Sequence, residues 1–263
     1  MPSVSSIAVG ALVAGAAASR ARHGMNESIA RLSTGIRSMY GGDAAGQSVA
    51  NTLQSRSKSW AVAARNAEDG MSAASTAESA LLEIAALAQR LREIGIQADN
   101  YALLNSTSDL GALNAEATAI GAAIDAIRSS ATFNGISLLG TSSVTLNIGV
   151  TDEGGTLTLK TSDAIAAAAR TLASGADASA DATLEDVAIS LGNVAAGISA
   201  LKARQAVAYS ASANLAAAAS RIEDTDFAKE SANLAKWSVL NQSAMAMVAQ
   251  ANKAQSAILA VLQ

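Results

Sequence analysis

Leu240-Asn241-Gln242-Ser243-Ala244-Met245-Ala246-Met247-Val248-Ala249-Gln250-Ala251-Asn252-Lys253-Ala254-Gln255-Ser256-Ala257-Ile258-Leu259-Ala260-Val261 is the stretch on which the fold turns. Leu240, Ala244, Met247, Ala251, Ala254, Ile258 and Val261 step by alternating fours and threes, the narrow stripe of a coiled-coil seam. From Trp237 to Gln263 only Lys253 is charged, so the faces away from that stripe are alanine, serine, asparagine and glutamine. A solvated helix carries charges there. Small, neutral residues all round predict a helix surrounded by other protein. The amino-terminal end has the same character: Ile7, Ala11, Ala14, Ala18, Ala21 and Met25 keep the alternation, and Ile29, Leu32 and Ile36 resume it after a stutter. Two matched halves of a coiled coil are expected, although the spacing also suits two ordinary helices on one core.

The composition of the 263 residues agrees with long helices. Half the residues are hydrophobic but only 3% are aromatic, and Pro2 is the single proline. Alanine is the best helix former and proline the worst. The absence of cysteine removes disulfides, thiolate catalysis and cysteine-held metals. One histidine cannot make a zincin motif, and a net charge of −4 does not suit a nucleic-acid face. No nucleophile, base and orienter can be grouped, so neither an enzyme nor a catalytic, cofactor or metal site is expected. Residues 1–19 carry no charged side chain before the apolar run, which disfavours a cleaved signal, and the run is too short and alanine-rich for a bilayer span.

Between the ends, Gly41-Gly42 reads as a flexible break. Ala44 to about Asp99 and Leu110 to about Ser130 read as helices, divided by the polar loop at Asn105-Ser106-Thr107-Ser108. Alanine then vanishes from Thr132 to Asp163. Val144, Leu146, Ile148 and Val150 alternate, and Asp152-Glu153-Gly154-Gly155 separates them from Thr156-Leu157-Thr158-Leu159, a β-hairpin with a four-residue loop. Helix signals return near Ala164, pause from Ala173 to Asp181, and run from Leu184 almost to the end. The fold class expected is mainly α: a long antiparallel helical rod with a terminal coiled coil and one small β-hairpin region near 141–160. Residues 1–42 with 222–263 form the terminal coiled-coil domain, and 43–221 the helical rod.

Several strings carry a likeness. Leu32-Ser33-Thr34-Gly35-Ile36-Arg37, Asp43-Ala44-Ala45-Gly46, Ala64-Arg65-Asn66-Ala67-Glu68-Asp69-Gly70 and Thr76-Ala77-Glu78-Ser79-Ala80-Leu81 resemble the amino-terminal core of bacterial flagellin. Phe133-Asn134-Gly135-Ile136-Ser137-Leu138-Leu139 resembles that family's FNGxxLL segment. Ser220-Arg221-Ile222-Glu223-Asp224-Thr225-Asp226 and Ala244 to Asn252 resemble its carboxy-terminal core. The connector Ser38-Met39-Tyr40-Gly41-Gly42 is one residue shorter than the usual pattern, Gln255 stands where many members have proline, and no large insertion follows the hairpin. The resemblance is to a short, core-only member.

That resemblance implies a structural subunit that self-assembles into the helical flagellar filament for swimming, extracellular, exported unfolded through the flagellar type III pathway. The alternative is a hook–filament junction adaptor; an alanine-rich protein coating granules or membranes fits the neutral termini poorly. Implied partners are further copies of the chain in a helical homopolymer, an export chaperone, the cap protein and hook-junction proteins, with no nucleic acid and no membrane insertion. The assembly interface is assigned to Ile7, Ala14, Ala18, Leu240, Ala244, Met247, Ala251 and Ile258. Gln89-Arg90-Leu91-Arg92-Glu93-Ile94 resembles a segment read by innate immune receptors, making Arg90, Ile94 and Glu116 receptor-facing candidates; the plainer reading is contact with neighbouring subunits. Thr141, Ser142, Ser143 and Thr151 are candidates for O-linked sugar. His23 is read as a polar helix position, and Asp152-Glu153 as a turn rather than a calcium site.

Overall fold

The computed structural model describes residues 4–38, 42–100, 107–165 and 173–262, with side chains described from Val9 to Ala257 within those limits. The order is α1 (Val4–Thr34), α2 (Ala44–Asp99), α3 (Thr107–Ser130), β1 (Thr132–Phe133), β2 (Ile136–Ser137), β3 (Val144–Gly149), β4 (Thr156–Ser162), α4 (Ala176–Glu223) and α5 (Phe227–Leu262). The chain divides into two compact units, one of residues 1–55 with 215–263 and one of residues 56–214.

In the first unit α1 and α5 run antiparallel. Arg31 meets Glu230, Gly24 meets Trp237, and Arg22 meets Met245, so numbers rise along one helix as they fall along the other. α1 stops at Thr34, not at the Gly41-Gly42 break, because Gly35 takes a left-handed φ of 74° and donates its N–H back to the Arg31 carbonyl at 2.8 Å. Glycine adopts that conformation without a Cβ clash, which is why it ends helices. Ile36 therefore lies outside the helix and bridges to Asp224. The carboxy-terminal run is likewise not continuous. Asp224, Thr225 and Asp226 interrupt it, and the Asp226 carboxylate accepts the N–H groups of Ala228 and Lys229 at 3.0 and 3.1 Å, capping α5. An aspartate in that role satisfies donors that a helix start leaves open.

In the second unit α2 and α4 are also antiparallel. Ser57 and Ser212 exchange hydroxyl-to-carbonyl bonds at 2.9 and 3.0 Å, and Arg92 pairs with Asp181 at 2.7 Å. α3 folds back along α2, where Arg90 pairs with Glu116 at 2.7 Å. The core is built by Leu81, Ile84, Leu91 and Ile94 of α2, Ile120 and Ile124 of α3, Leu138, Leu139 and Leu159 of the strand region, and Val187, Val194 and Leu201 of α4. α3 and α4 match a bilayer span by length and composition, and in the folded unit they supply these buried residues.

The hairpin β3–β4 pairs Gly149 with Thr156, so its loop spans the six residues 150–155 rather than four. Val150 N–H donates to the Gly155 carbonyl at 2.9 Å. A second, smaller hairpin, β1–β2, pairs Phe133 with Ile136. Asn134 and Gly135, at φ 50° and 78°, make the two-residue turn that matches strand twist. α4 begins at Ala176 instead of Leu184. Ile165 is buried outside any helix, and the helix signals at 166–172 fall outside the described residues.

Candidate functional site

The facing stripes of α1 and α5 come first. On α1, Ala18, Ala21 and Ser28 are buried and Ala14 and Met25 half-buried, with Gly24 buried between them. An added Cβ on Gly24 would stand 2.5 Å from the Trp237 ring, so the indole occupies space that only glycine leaves. On α5 the covered stripe is Glu230, Leu234, Trp237, Asn241, Ala244, Val248, Ala251 and Gln255. Leu240, 43% exposed, and Met247, 64% exposed, are not in it, which corrects the expected seam. Two heptad stripes share Ala244 and Ala251, and apolarity alone favours the one through Leu240 and Met247. The contacts of Trp237 with Gly24 and Glu230 with Arg31 select the other, one residue on.

Of the eight expected interface residues, Ala18 and Ala244 are thus buried inside the chain's own helix pair, and Ala14 and Ala251 are half-buried there. Leu240 and Met247 face outward, and the side chains of Ile7 and Ile258 lie outside the described residues. The outward faces are apolar. Val9, Leu12, Val13, Val239, Leu240, Met245 and Met247 are all exposed, Leu12 at 74%. Among described residues, ten of the seventeen exposed large hydrophobics belong to the first unit. Scattered single apolar residues are ordinary on a surface; a contiguous apolar face marks an interaction site.

The same unit holds a polar junction that the sequence pattern did not reveal. Arg37 donates from Nε and Nη2 to the Ile222 carbonyl at 3.1 and 2.9 Å, capping the end of α4. Its Nη2 also reaches Asp43 Oδ2 at 2.7 Å, and Asp43 Oδ1 accepts the Gly46 N–H at 2.8 Å at the start of α2. One guanidinium so joins a helix end to a helix start. The Gly46 N–H, then Arg37, hold the Asp43 carboxyl below its ordinary range. Nearby, Glu223 accepts from Gln54 at 2.6 Å. Burial pushes Glu230 up, but hydrogen bonds from Ser28 and Asn233 and the Arg31 charge outweigh it and hold its carboxyl below the usual value. The sequence signal was present in Asp224-Thr225-Asp226, two carboxylates at a helix boundary.

In the second unit Arg90 lies between Glu93 at 2.8 Å and Glu116 at 2.7 Å, which together raise its guanidinium above the ordinary value. Ile94 is fully buried in the core, so of the three receptor-facing candidates only Arg90 and Glu116 reach the surface. Thr141, Ser142 and Ser143 are exposed ahead of β3. Thr151 is half-buried, and its hydroxyl accepts the Gly155 N–H at 2.6 Å. Asp152 is held by Arg56 Nε at 2.6 Å, with Glu153 3.7 Å from the same guanidinium, so these acids pin the hairpin loop to α2. His23 is exposed, 3.3 Å from Glu27.

Two family models match the chain: the bacterial flagellin N-terminal helical region over residues 6–143, and the bacterial flagellin C-terminal helical region over 179–262. A flagellin of Halalkalibacterium halodurans is 34% identical, covering 89% of this chain and 90% of its own. A flagellin of Bacillus subtilis is 32% identical, covering 89% and 91%. The crystal structure of Bacillus cereus flagellin aligns over 57% of this chain and 88% of that one, at 22% identity and a TM-score of 0.37.

Proposed function

The chain belongs to the bacterial flagellins, structural subunits that polymerise into the extracellular flagellar filament of swimming cells, and from that premise we propose that the outward apolar faces of α1 and α5 are where its copies meet. The two family models and the two relatives described above are flagellins, and none of them supports the junction-adaptor alternative.

One observation carries the assignment: Leu12, Val13, Val239, Leu240 and Met247 remain exposed after α1 and α5 have packed on each other. An alanine seam buries little area, and each buried CH₂ is worth about 0.8 kcal/mol. Helices without further packing are marginal. Neighbouring copies supply the missing burial, so polymerisation stabilises a terminal pair that is weak in the isolated chain. A repeated contact between unlike surfaces that does not close into a ring builds a filament. Of the expected interface residues, Leu240 and Met247 are assigned to contacts between copies, with Ala14, Ala18, Ala244 and Ala251 setting the spacing of the pair beneath. The first unit is the assembling terminal domain.

Unfolded passage through a type III export channel fits a chain that cannot cross-link before leaving, since it has no cysteine. A chaperone, a cap and junction proteins are the partners such a route requires. Exposed Thr141, Ser142 and Ser143 are the positions for O-linked sugar. Leu240→Glu tests the assembly surface: the monomer keeps its helix content and seeded elongation is lost. Filaments of wild-type rate and length from this variant would refute the assignment.

A further inference from the structure

Met245 and Met247 are both exposed, at 49% and 64%, on the carboxy-terminal helix of the first unit. Met25 is half-buried on α1, and Met71 packs against the core of the second unit. The two outward thioethers differ in their surroundings. Arg22 Nη2 donates to Met245 Sδ at 3.7 Å across the α1–α5 pair. Met247 has no donor among the described residues, and between Trp237 and Gln263 the chain carries a single charge, Lys253. One turn from Met247 on the same helix stand Ser243, Ala244, Gln250 and Ala251.

We propose that Met247 is an oxidation-sensitive modification site, at which conversion to the sulfoxide blocks addition of the subunit to the filament, whereas Met245 tolerates the same change. The proposal rests on the reading of the α5 outer face as a contact between copies. The oxidant is a two-electron peroxide. The thioether sulfur gives an electron pair to the terminal peroxide oxygen, the O–O bond breaks, an S–O bond forms, and the departing hydroxide takes a proton to leave as water. The product replaces a flexible apolar group by a polar acceptor, and methionine sulfoxide reductases reverse it. At Met245 the new oxygen lies within the reach of the guanidinium that already donates to the sulfur, so its burial leaves a satisfied acceptor. At Met247 no guanidinium crosses from α1, so a second copy would cover a polar acceptor where it otherwise meets an apolar face, and burying a poorly paired polar group is unfavourable. Contact with solvent before assembly exposes the sulfur; the finished contact covers it. The sensitive species is therefore the free subunit.

The test treats purified full-length monomer with hydrogen peroxide, locates sulfoxide by peptide mass spectrometry, and measures seeded elongation by light scattering. Met245→Leu and Met247→Leu keep volume and apolarity. Expected results are a tenfold or greater fall in elongation rate on oxidation of wild type and of Met245→Leu, each against its own untreated sample, no such fall on oxidation of Met247→Leu, and recovery after reductase treatment. Without oxidant, Met247→Gln, a permanent polar replacement, elongates at least tenfold more slowly than Met245→Gln. Normal elongation by Met247→Gln, or by wild type with sulfoxide demonstrated at Met247, overturns the proposal. Leu240→Glu separates the two levels of failure: if it also elongates normally the contact reading falls with the proposal, and if it is blocked only the oxidation site is lost.

Discussion

Replacing Gly24 by alanine tests the register of the terminal helix pair directly. Three atoms of the Trp237 indole would lie 2.5, 2.7 and 2.8 Å from the new Cβ, distances at which something must move. The obstacle is a rigid ring held between two helices, so relief requires a rotamer change or separation of α1 from α5. Overpacking of this kind costs about 1–3 kcal/mol. Against it, alanine in a helix interior gains about 1 kcal/mol over glycine. Gly15 supplies the internal reference: it is in the same helix, and a methyl added there would meet nothing within 4 Å, so Gly15→Ala shows the propensity gain alone. Gly24→Ala is then expected to be less stable than Gly15→Ala by about 1–3 kcal/mol. Urea unfolding of the monomer, followed by far-UV circular dichroism and by tryptophan emission, reads the difference. A double substitution with Trp237→Ala should remove most of it, as expected for groups in contact. If Gly24→Ala and Gly15→Ala unfold together, Trp237 does not pack on Gly24 and the seam phase deduced from it is wrong.

Other consequences are simpler to check. Asp226→Ala removes the α5 cap and should cost about 0.5–2 kcal/mol in monomer unfolding, with lost helicity confined to the carboxy-terminal peptides in hydrogen exchange. Asp43 has its folded pKa depressed, so its contribution is present above the unfolded carboxyl value of about 4 and is lost as pH falls through the lower folded value. Asp43→Asn should therefore lose less stability than wild type on acidification below about pH 4. Arg56→Ala releases Asp152 and Glu153 and should raise the rate of proteolytic cleavage within 150–155 while leaving the helix content unchanged. Deleting residues 222–263 should leave a helical protein that does not polymerise, as read by sedimentation.

Some parts of this fold were legible because one physical signal dominated. The bounds of α2, Ala44–Asp99, follow from an unbroken alanine-rich stretch, and the main hairpin from the disappearance of alanine between Thr132 and Asp163. Alternation at Val144, Leu146 and Ile148 reappears as alternating exposure along β3. The misses share a cause. In an alanine-rich chain apolarity varies little from position to position, so periodicity fixes that a helix exists but not which side it turns inward. Asn241 and Gln255 lie on the covered stripe of α5 where Leu240 and Ala254 were expected. The phase is decided by a few specific contacts, above all Trp237 on Gly24, which sequence distance hides. The break at Asp224–Asp226 was masked similarly, since helix-forming residues continue on both sides and only capping chemistry marks the gap. The β1–β2 turn did carry a local signal, Asn134-Gly135, within a segment read only for family likeness.

The same low contrast bears on how the molecule works. In the second unit the core is leucine, isoleucine and valine, fully buried at Leu81, Ile84, Leu91, Val194 and Leu201. In the first, the fully covered apolar positions between α1 and α5 are alanines, and most large apolar groups point outward. Burying alanine methyls stabilises far less than burying leucine side chains. The terminal pair is accordingly the weaker unit in the isolated chain, and its large apolar groups are placed where a neighbouring copy covers them. Moving those groups inward should reverse the arrangement. Ala18→Leu together with Ala244→Leu overpacks a seam built for alanine, and helices α1 and α5 must separate or shift to accept it. The expected result is a monomer whose second unit melts as in wild type, read by protection of the Leu81 and Leu201 amides, and whose filaments are lost or altered in helical shape. Wild-type filaments from the double variant would show that the alanine seam does not set the spacing on which assembly depends.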